Sequence, residues 1–125
     1  MKEYRPSKQS VNVLGTDYQI LYITEEEDKY LEECVGFCDR YAKYIVIKKQ
    51  SEEFINSPRN TKNHLDWINQ TLIHELIHAF LTESGVSYNN MDEENICDFL
   101  EVNLIKIYKA FEQCKFIEEE TEEML

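Results

Sequence analysis

Two hydrophobic rhythms divide the chain. In its first part apolar and polar residues alternate: Val11 and Val13, then Tyr18, Ile20 and Tyr22. Alternation places one set of side chains on a single face of a strand. Gly15-Thr16-Asp17 between the runs is a turn signal, so the pattern predicts a hairpin with strands near 10–14 and 18–24. A charged break follows from Glu25 to Lys29, with one helical turn expected through Tyr30 and Leu31. Phe37 and Tyr41, a short polar turn and the β-branched run Ile45-Val46-Ile47 then predict a second hairpin, with strands near 36–41 and 44–48.

Beyond Pro58 the period changes to three and four. Ser51 before Glu52 and Glu53 has the chemistry of a short capped helix, and Ser57-Pro58-Arg59-Asn60 breaks it. Leu65, Ile68, Leu72, Leu76, Ala79 and Phe80 then mark a long helix that starts near Thr61 and stops at Ser84-Gly85, with Gly85 as left-handed cap. A second long helix opens at Asn90 or Asp92, with Asn90-x-x-Glu93 as capping box. Its stripe is Ile96, Cys97, Leu100, Leu104, Ile107 and Phe111, and it runs to about Cys114. The fold class expected is α+β: a sheet of three to four strands, antiparallel or mixed, packed on one helix and a second long helix. At 125 residues the chain fits one domain, 1–125, with residues 1–9 and 116–125 frayed or solvated.

Composition narrows the functions. The net charge of −12 argues against nucleic acid, which wants a basic face, and against an anionic membrane surface. No window approaches the roughly 18 apolar residues of a membrane span. The start, Met1-Lys2-Glu3-Tyr4-Arg5-Pro6, lacks the apolar run of a signal peptide, so the expected compartment is the cytoplasm. Cys34, Cys38, Cys97 and Cys114 are then expected to be reduced, mostly buried thiols.

The chemistry lies inside the first long helix. Residues 71–81 read Thr-Leu-Ile-His-Glu-Leu-Ile-His-Ala-Phe-Leu. Residues four apart share a helix face, so His74 and His78 can present their imidazoles to one ion, with Glu75 at a neighbouring edge within reach of an attacking water. Burying these three polar groups among Ile, Leu and Phe is costly without a shared partner, and a metal is such a partner. A catalytic zinc usually takes three protein ligands and one water. His64 precedes His74 by ten residues, about 15 Å along the helix, and cannot share the ion. A second helix returning antiparallel would bring Asp92, Glu93 and Glu94 near the histidine pair. With Asn90 as N-cap, Glu93 is occupied as capping partner and Glu94 is free to turn to the metal, although Glu93 lies nearer the apolar stripe. Glu94 is the favoured third ligand and Glu93 the alternative.

The helix at 71–81 resembles the active helix of small gluzincin-type metallopeptidases of the ImmA/IrrE and SprT-like kind, and is similar to short phage and prophage proteins of that group. Residues 94–98, Glu-Asn-Ile-Cys-Asp, resemble a later Glu-x-x-Cys-Asn helix in that family, and the correspondence selects Glu94 as third zinc ligand. Gly36-Phe37-Cys38-Asp39, with the strand through Ile47, resembles the strand segment before the active helix. The likeness spans about residues 34–104. It departs from the family at Ile77, where many members carry Gly before the second His, and in lacking the DNA-binding module of some relatives.

The resemblance implies a zinc-dependent metallopeptidase, in the cytoplasm of a bacterial or phage-infected host cell. His74, His78 and Glu94 would hold Zn²⁺, and Glu75 would be the general base toward a zinc-bound water of pKa about 7. The substrate would be a peptide or protein lying extended along a strand edge, at 36–41 or 44–48, with a protein partner completing the groove if the small chain leaves it incomplete. Tyr88 is the candidate oxyanion donor. Two rivals are a metal-binding but inactive protein acting through a partner, and a small helical interaction protein without metal.

Overall fold

The computed structural model describes residues 3–58, 64–87, 89–114 and 123. Four strands form one mixed sheet: β1 (Gln9–Val13), β2 (Thr16–Ile23), β3 (Gly36–Asp39) and β4 (Tyr44–Lys48), in the order β1-β2-β4-β3. β1 pairs antiparallel with β2 and β3 antiparallel with β4, so both expected hairpins form. The central pairing, β2 with β4, is parallel and joins Ile20 to Ile45 and Tyr22 to Ile47. This order makes β3 an edge strand and places β4 inside the sheet. Three helices follow: α1 (Glu52–Ile55), α2 (His64–Glu83) and α3 (Asn90–Cys114). The fold is α+β.

Turn chemistry sets the strand ends. The first turn is centred on Leu14-Gly15, earlier in the chain than the expected Gly15-Thr16-Asp17, with φ of 50° and 98°. Paired positive φ values suit a two-residue hairpin, and the Asn12 side chain supports the turn by accepting from the Gly15 amide at 3.0 Å. In the second hairpin the Asp39 carboxylate accepts from the amides of Tyr41 (3.1 Å) and Ala42 (3.0 Å). That side-chain turn stops β3 at Asp39, two residues short of the expected Tyr41.

The sheet buries both faces. Toward α2, Val13, Tyr18, Ile20, Ile45 and Ile47 meet Ile68, Leu72, Leu76, Ala79 and Phe80. Each fully buried aliphatic side chain contributes roughly 1.5–3 kcal/mol. Leu65, expected in this stripe, is 72% exposed and takes no part in this cluster, which begins at Ile68 on the helix. On the opposite face Leu21, Ile23 and Val46 pack with Leu31 of a single 3₁₀ turn (Lys29–Glu32), and with Tyr4, Cys34, Phe37 and Tyr44. Within the segment 1–9 expected to fray, Tyr4 is packed: its ring stacks on Tyr44 at 4.4 Å, and its hydroxyl donates to Asp39 at 2.6 Å. Of the acidic tail only Glu123 is described, and it is exposed; the rest lies outside the described residues.

Helix α2 ends on Glu83, with Gly85 in the left-handed region at φ 75°, as expected. The Glu83 carboxylate accepts from Thr16 Oγ1 (2.7 Å), Tyr18 Oη (2.7 Å) and Lys43 Nζ (2.8 Å). One carboxylate so ties the helix end to β2 and to the β3–β4 turn. Lys43 and the two hydroxyl donors hold its pKa at about 2, below the usual 4.5. A depressed carboxylate pKa adds stability above the ordinary value and loses it as pH falls through the folded one. The urea midpoint of the protein is therefore expected to drop between pH 4.5 and 2. In Glu83→Gln the midpoint should be lower at neutral pH and the acid drop smaller; an unchanged acid drop would contradict this role.

Candidate active site

Helix α2 presents two flanks. Its apolar residues meet the sheet, while Thr71, Glu75 and His78, all buried, turn toward β3 and α3. Thr71 avoids an unpaired hydroxyl by donating to the Trp67 carbonyl at 2.9 Å. The approach to β3 is close. A Cβ added to Gly36 would lie 2.8 Å from Thr71 Cγ2, 3.0 Å from the Val46 carbonyl oxygen and 3.4 Å from Glu75 Cγ. Glycine is required at this position so that helix and strand can meet there.

α3 packs against α2 and brings a row of carboxylates to the histidines. Glu94 stands between the two Nε2 atoms, with Oε2 3.3 Å from His74 and Oε1 2.7 Å from His78. The Nδ1 atoms face other acids. His74 Nδ1 lies 3.4 Å from Asp98 Oδ1 and 3.4 Å from Glu101 Oε1. His78 Nδ1 lies 3.1 Å from Glu93 Oε2, but off the line on which a ring N–H would donate. That contact is electrostatic, and Nδ1 is a buried nitrogen without a hydrogen bond. Glu93 is itself buried and forms an ion pair with Arg40, on the turn after β3.

The expected capping box does not form. Asn89, one residue earlier, caps α3: its Oδ1 accepts from the Asp92 amide at 2.8 Å, and its Nδ2 donates to Asp92 at 2.7 Å. Glu93 is therefore released from capping and turns inward to Arg40 and His78.

Glu75 is 7% exposed. Burial is the main influence that raises its pKa; His74 and His78 oppose it, while Glu94 and Glu101 add to it. The carboxylate lines an open cleft of about 580 Å³ between β3 and α3, with Gly36, Cys38, Arg40, His74, His78 and Glu94 around it.

These groups suit a divalent cation. Donor atoms about 2.0–2.1 Å from a tetrahedral ion stand about 3.3 Å apart, which is the His74–Glu94 spacing of 3.3 Å. Five carboxylates around two imidazoles form a concentrated negative charge that a cation offsets. Among the described residues two groupings have three donor atoms all within 4.8 Å of one another, His74, His78 and Cys97, and His74, Asp98 and Glu101, and Glu94 is in neither. Cys97 is fully buried, and burial together with the neighbouring carboxylates pushes its thiol up to about 12. A bound cation itself takes the proton off a coordinating thiol, so Cys97 stands as the rival to Glu94 for the third position.

His74, His78, Glu75, Glu94 and Glu93 thus all lie at one place. His64 lies apart from them, its ring stacked 6.0 Å from Trp67, as its spacing implies. Tyr88 lies outside the described residues. All four cysteines are free, but only Cys97 is buried, contrary to the expectation for most of them; Cys114 is exposed because the α3 stripe ends before it. The sequence reading passed over Arg40, Asp98 and Glu101. Asp98 and Glu101 follow Glu94 by four and seven residues on one helix face, a spacing that would have found them; Arg40 has no local signal.

No family model, characterised protein or solved structure matches the chain. Among the described residues no helix is long and apolar enough to cross a membrane.

Substitution separates the candidate ligands. If the centre takes zinc through Glu94, Glu94→Ala is expected to weaken zinc binding by about 100-fold or more, whereas Cys97→Ser should change it by less than about threefold. Competition with a chromogenic chelator measures both, and the reverse ranking would place Cys97 on the ion.

Proposed function

We propose that the chain is a zinc-dependent peptide hydrolase of the small ImmA/IrrE- and SprT-like kind. One observation carries this reading. Both Nε2 atoms face a single carboxylate, Glu94, while each Nδ1 faces a different acid, with Glu75 buried beside them. In a metal centre one ring nitrogen binds and the other meets a second polar group; Asp98 and Glu101 stand there for His74, while His78 Nδ1 lies 3.1 Å from Glu93 without a hydrogen bond.

His74 and His78, through Nε2, and Glu94 are the residues to hold the ion. A zinc ion in such a set supplies a Lewis acid and a water of pKa about 7. Glu75 has the proton work: its carboxylate accepts a proton from the attacking water and returns it to the leaving nitrogen. Its raised pKa makes it a stronger acceptor than an exposed carboxylate. Asp98 and Glu101 orient His74, and Glu93, held by Arg40, stands behind His78.

The substrate lies along β3. Lys48 donates to the Val35 carbonyl at 2.9 Å, which makes this a hydrogen-bonded antiparallel pair. Backbone groups alternate along an antiparallel edge, so those of Gly36 and Cys38 point away from β4 toward the cleft. An extended peptide can pair with them as an added strand.

Protein purified without a histidine tag is expected to carry about one equivalent of zinc, lost in His74→Ala. Glu75→Gln should keep the metal and lose at least about 100-fold in peptide hydrolysis. Absence of zinc would exclude the reading. Zinc with no hydrolysis in the unmodified protein would favour a binding role for the same centre.

A further inference from the structure

A second cavity lies around the corner from the cleft. It measures about 450 Å³ and is lined by Tyr4, Tyr30, Phe37, Asp39 and Tyr41, together with Cys38 and Arg40. Phe37, Cys38 and Arg40 line both cavities. The two therefore meet along β3, one on each side of the strand. Gly36 and Cys38 belong to the side that packs toward α2 and the histidines, and Phe37 belongs to the opposite side, with Leu31 and Val46.

The aromatic groups of this cavity are unusually well presented. Tyr41 is 95% exposed and Tyr30 55%. The Tyr30 ring meets Phe37 edge to face at 5.0 Å. Large exposed rings around a concave site mark a surface that takes an apolar partner.

We infer that this aromatic cavity is a specificity subsite, which receives an aromatic or large apolar side chain of an extended peptide paired to β3. The inference rests on the proposed peptide hydrolysis and names the substrate class that reading leaves open. Side chains of a strand point alternately to its two faces, and a residue directly opposite another shares its face. A peptide residue opposite Cys38 therefore points to the histidine side, and the residue opposite Phe37 points into the aromatic cavity. No strand can pair with this edge without presenting a side chain to each. Tyr30 and Phe37 then form the cross-strand aromatic contact that ranks one side chain above another, while the backbone pairing is indifferent to sequence. The subsite is therefore expected to select one position of the peptide next to the residues in the cleft.

The test uses the zinc-loaded full chain bearing Glu75→Gln, which removes turnover, immobilised through its N-terminus. The probe is a decapeptide library with one position at a time fixed and the others drawn from Ala, Ser, Thr and Gln. Retained peptides are expected to favour Phe, Tyr, Trp or Leu over Ala and Asp by roughly three- to tenfold at the fixed position. Tyr30→Ala and Tyr41→Ala, both at exposed side chains, should reduce that preference to less than about twofold while peptides are still retained. Peptides retained with no such preference, or with one that survives both substitutions, would overturn the subsite and leave the hydrolase reading standing. If the zinc-loaded Glu75→Gln protein retains no library peptide and the zinc-loaded protein with Glu75 in place cuts none, the hydrolase reading fails and the subsite falls with it.

Discussion

At Gly36 the edge strand has no side chain, and helix α2 occupies the space with Thr71 and Glu75. This close approach is the constraint from which the site follows. It lets one helix serve the core through Ile68, Leu72, Leu76 and Ala79, and still hold Glu75 against the edge strand at the cleft. A larger residue at Gly36 would meet the branched Thr71 side chain on one side and the Val46 backbone on the other, neither of which yields easily. The Glu83 network acts in the same way at the helix end, where one carboxylate joins α2 to β2 and to the turn that carries Arg40. Sheet and helix are thereby held at both ends of the stretch that bears the histidines.

The second constraint is charge. A chain of net charge −12 concentrates Glu75, Glu93, Glu94, Asp98 and Glu101 around His74 and His78. Arg40 offsets only one of these acids, Glu93. Burial is the main influence that raises the pKa of Glu75, with Glu94 and Glu101 adding to it, and carboxylates so placed burden stability unless a cation shares them. A divalent ion, if held by His74, His78 and Glu94, would relieve that repulsion and give the buried His78 a partner. The other acids would then surround the centre, with Asp98 and Glu101 beside His74 and Glu93 facing His78.

Much of this arrangement was legible in the chain. The alternation from Val11 to Tyr22 and the β-branched run at Ile45–Ile47 are local signals, and the strands they predict form. The stop at Gly85 is likewise local. His74, Glu75 and His78 share a helix, so their common place needed only the helical period. What escaped was long-range. The parallel pairing of β2 with β4 leaves no mark in either strand, yet it decides that β3 and not β4 is the open edge. The reach of Arg40 to Glu93 crosses 53 positions. Choosing Asn90 rather than Asn89 as cap gave Glu93 the wrong role, since a one-residue shift at a helix start changes which acid is free, and both asparagines have cap chemistry. Glu93 is engaged by Arg40 and faces His78 rather than the cap, which is the reason Glu94 is the acid proposed for the ion.

The central claim is that two imidazole Nε2 atoms and the Glu94 carboxylate form one metal centre. X-ray absorption at the zinc edge, on untagged protein, tests it most directly. The expected spectrum shows two imidazoles and oxygen donors at about 2.0–2.1 Å and no sulfur shell, unchanged in Cys97→Ser and altered in Glu94→Ala. A sulfur shell at about 2.3 Å would put Cys97 on the ion, and protein without zinc would contradict the account altogether.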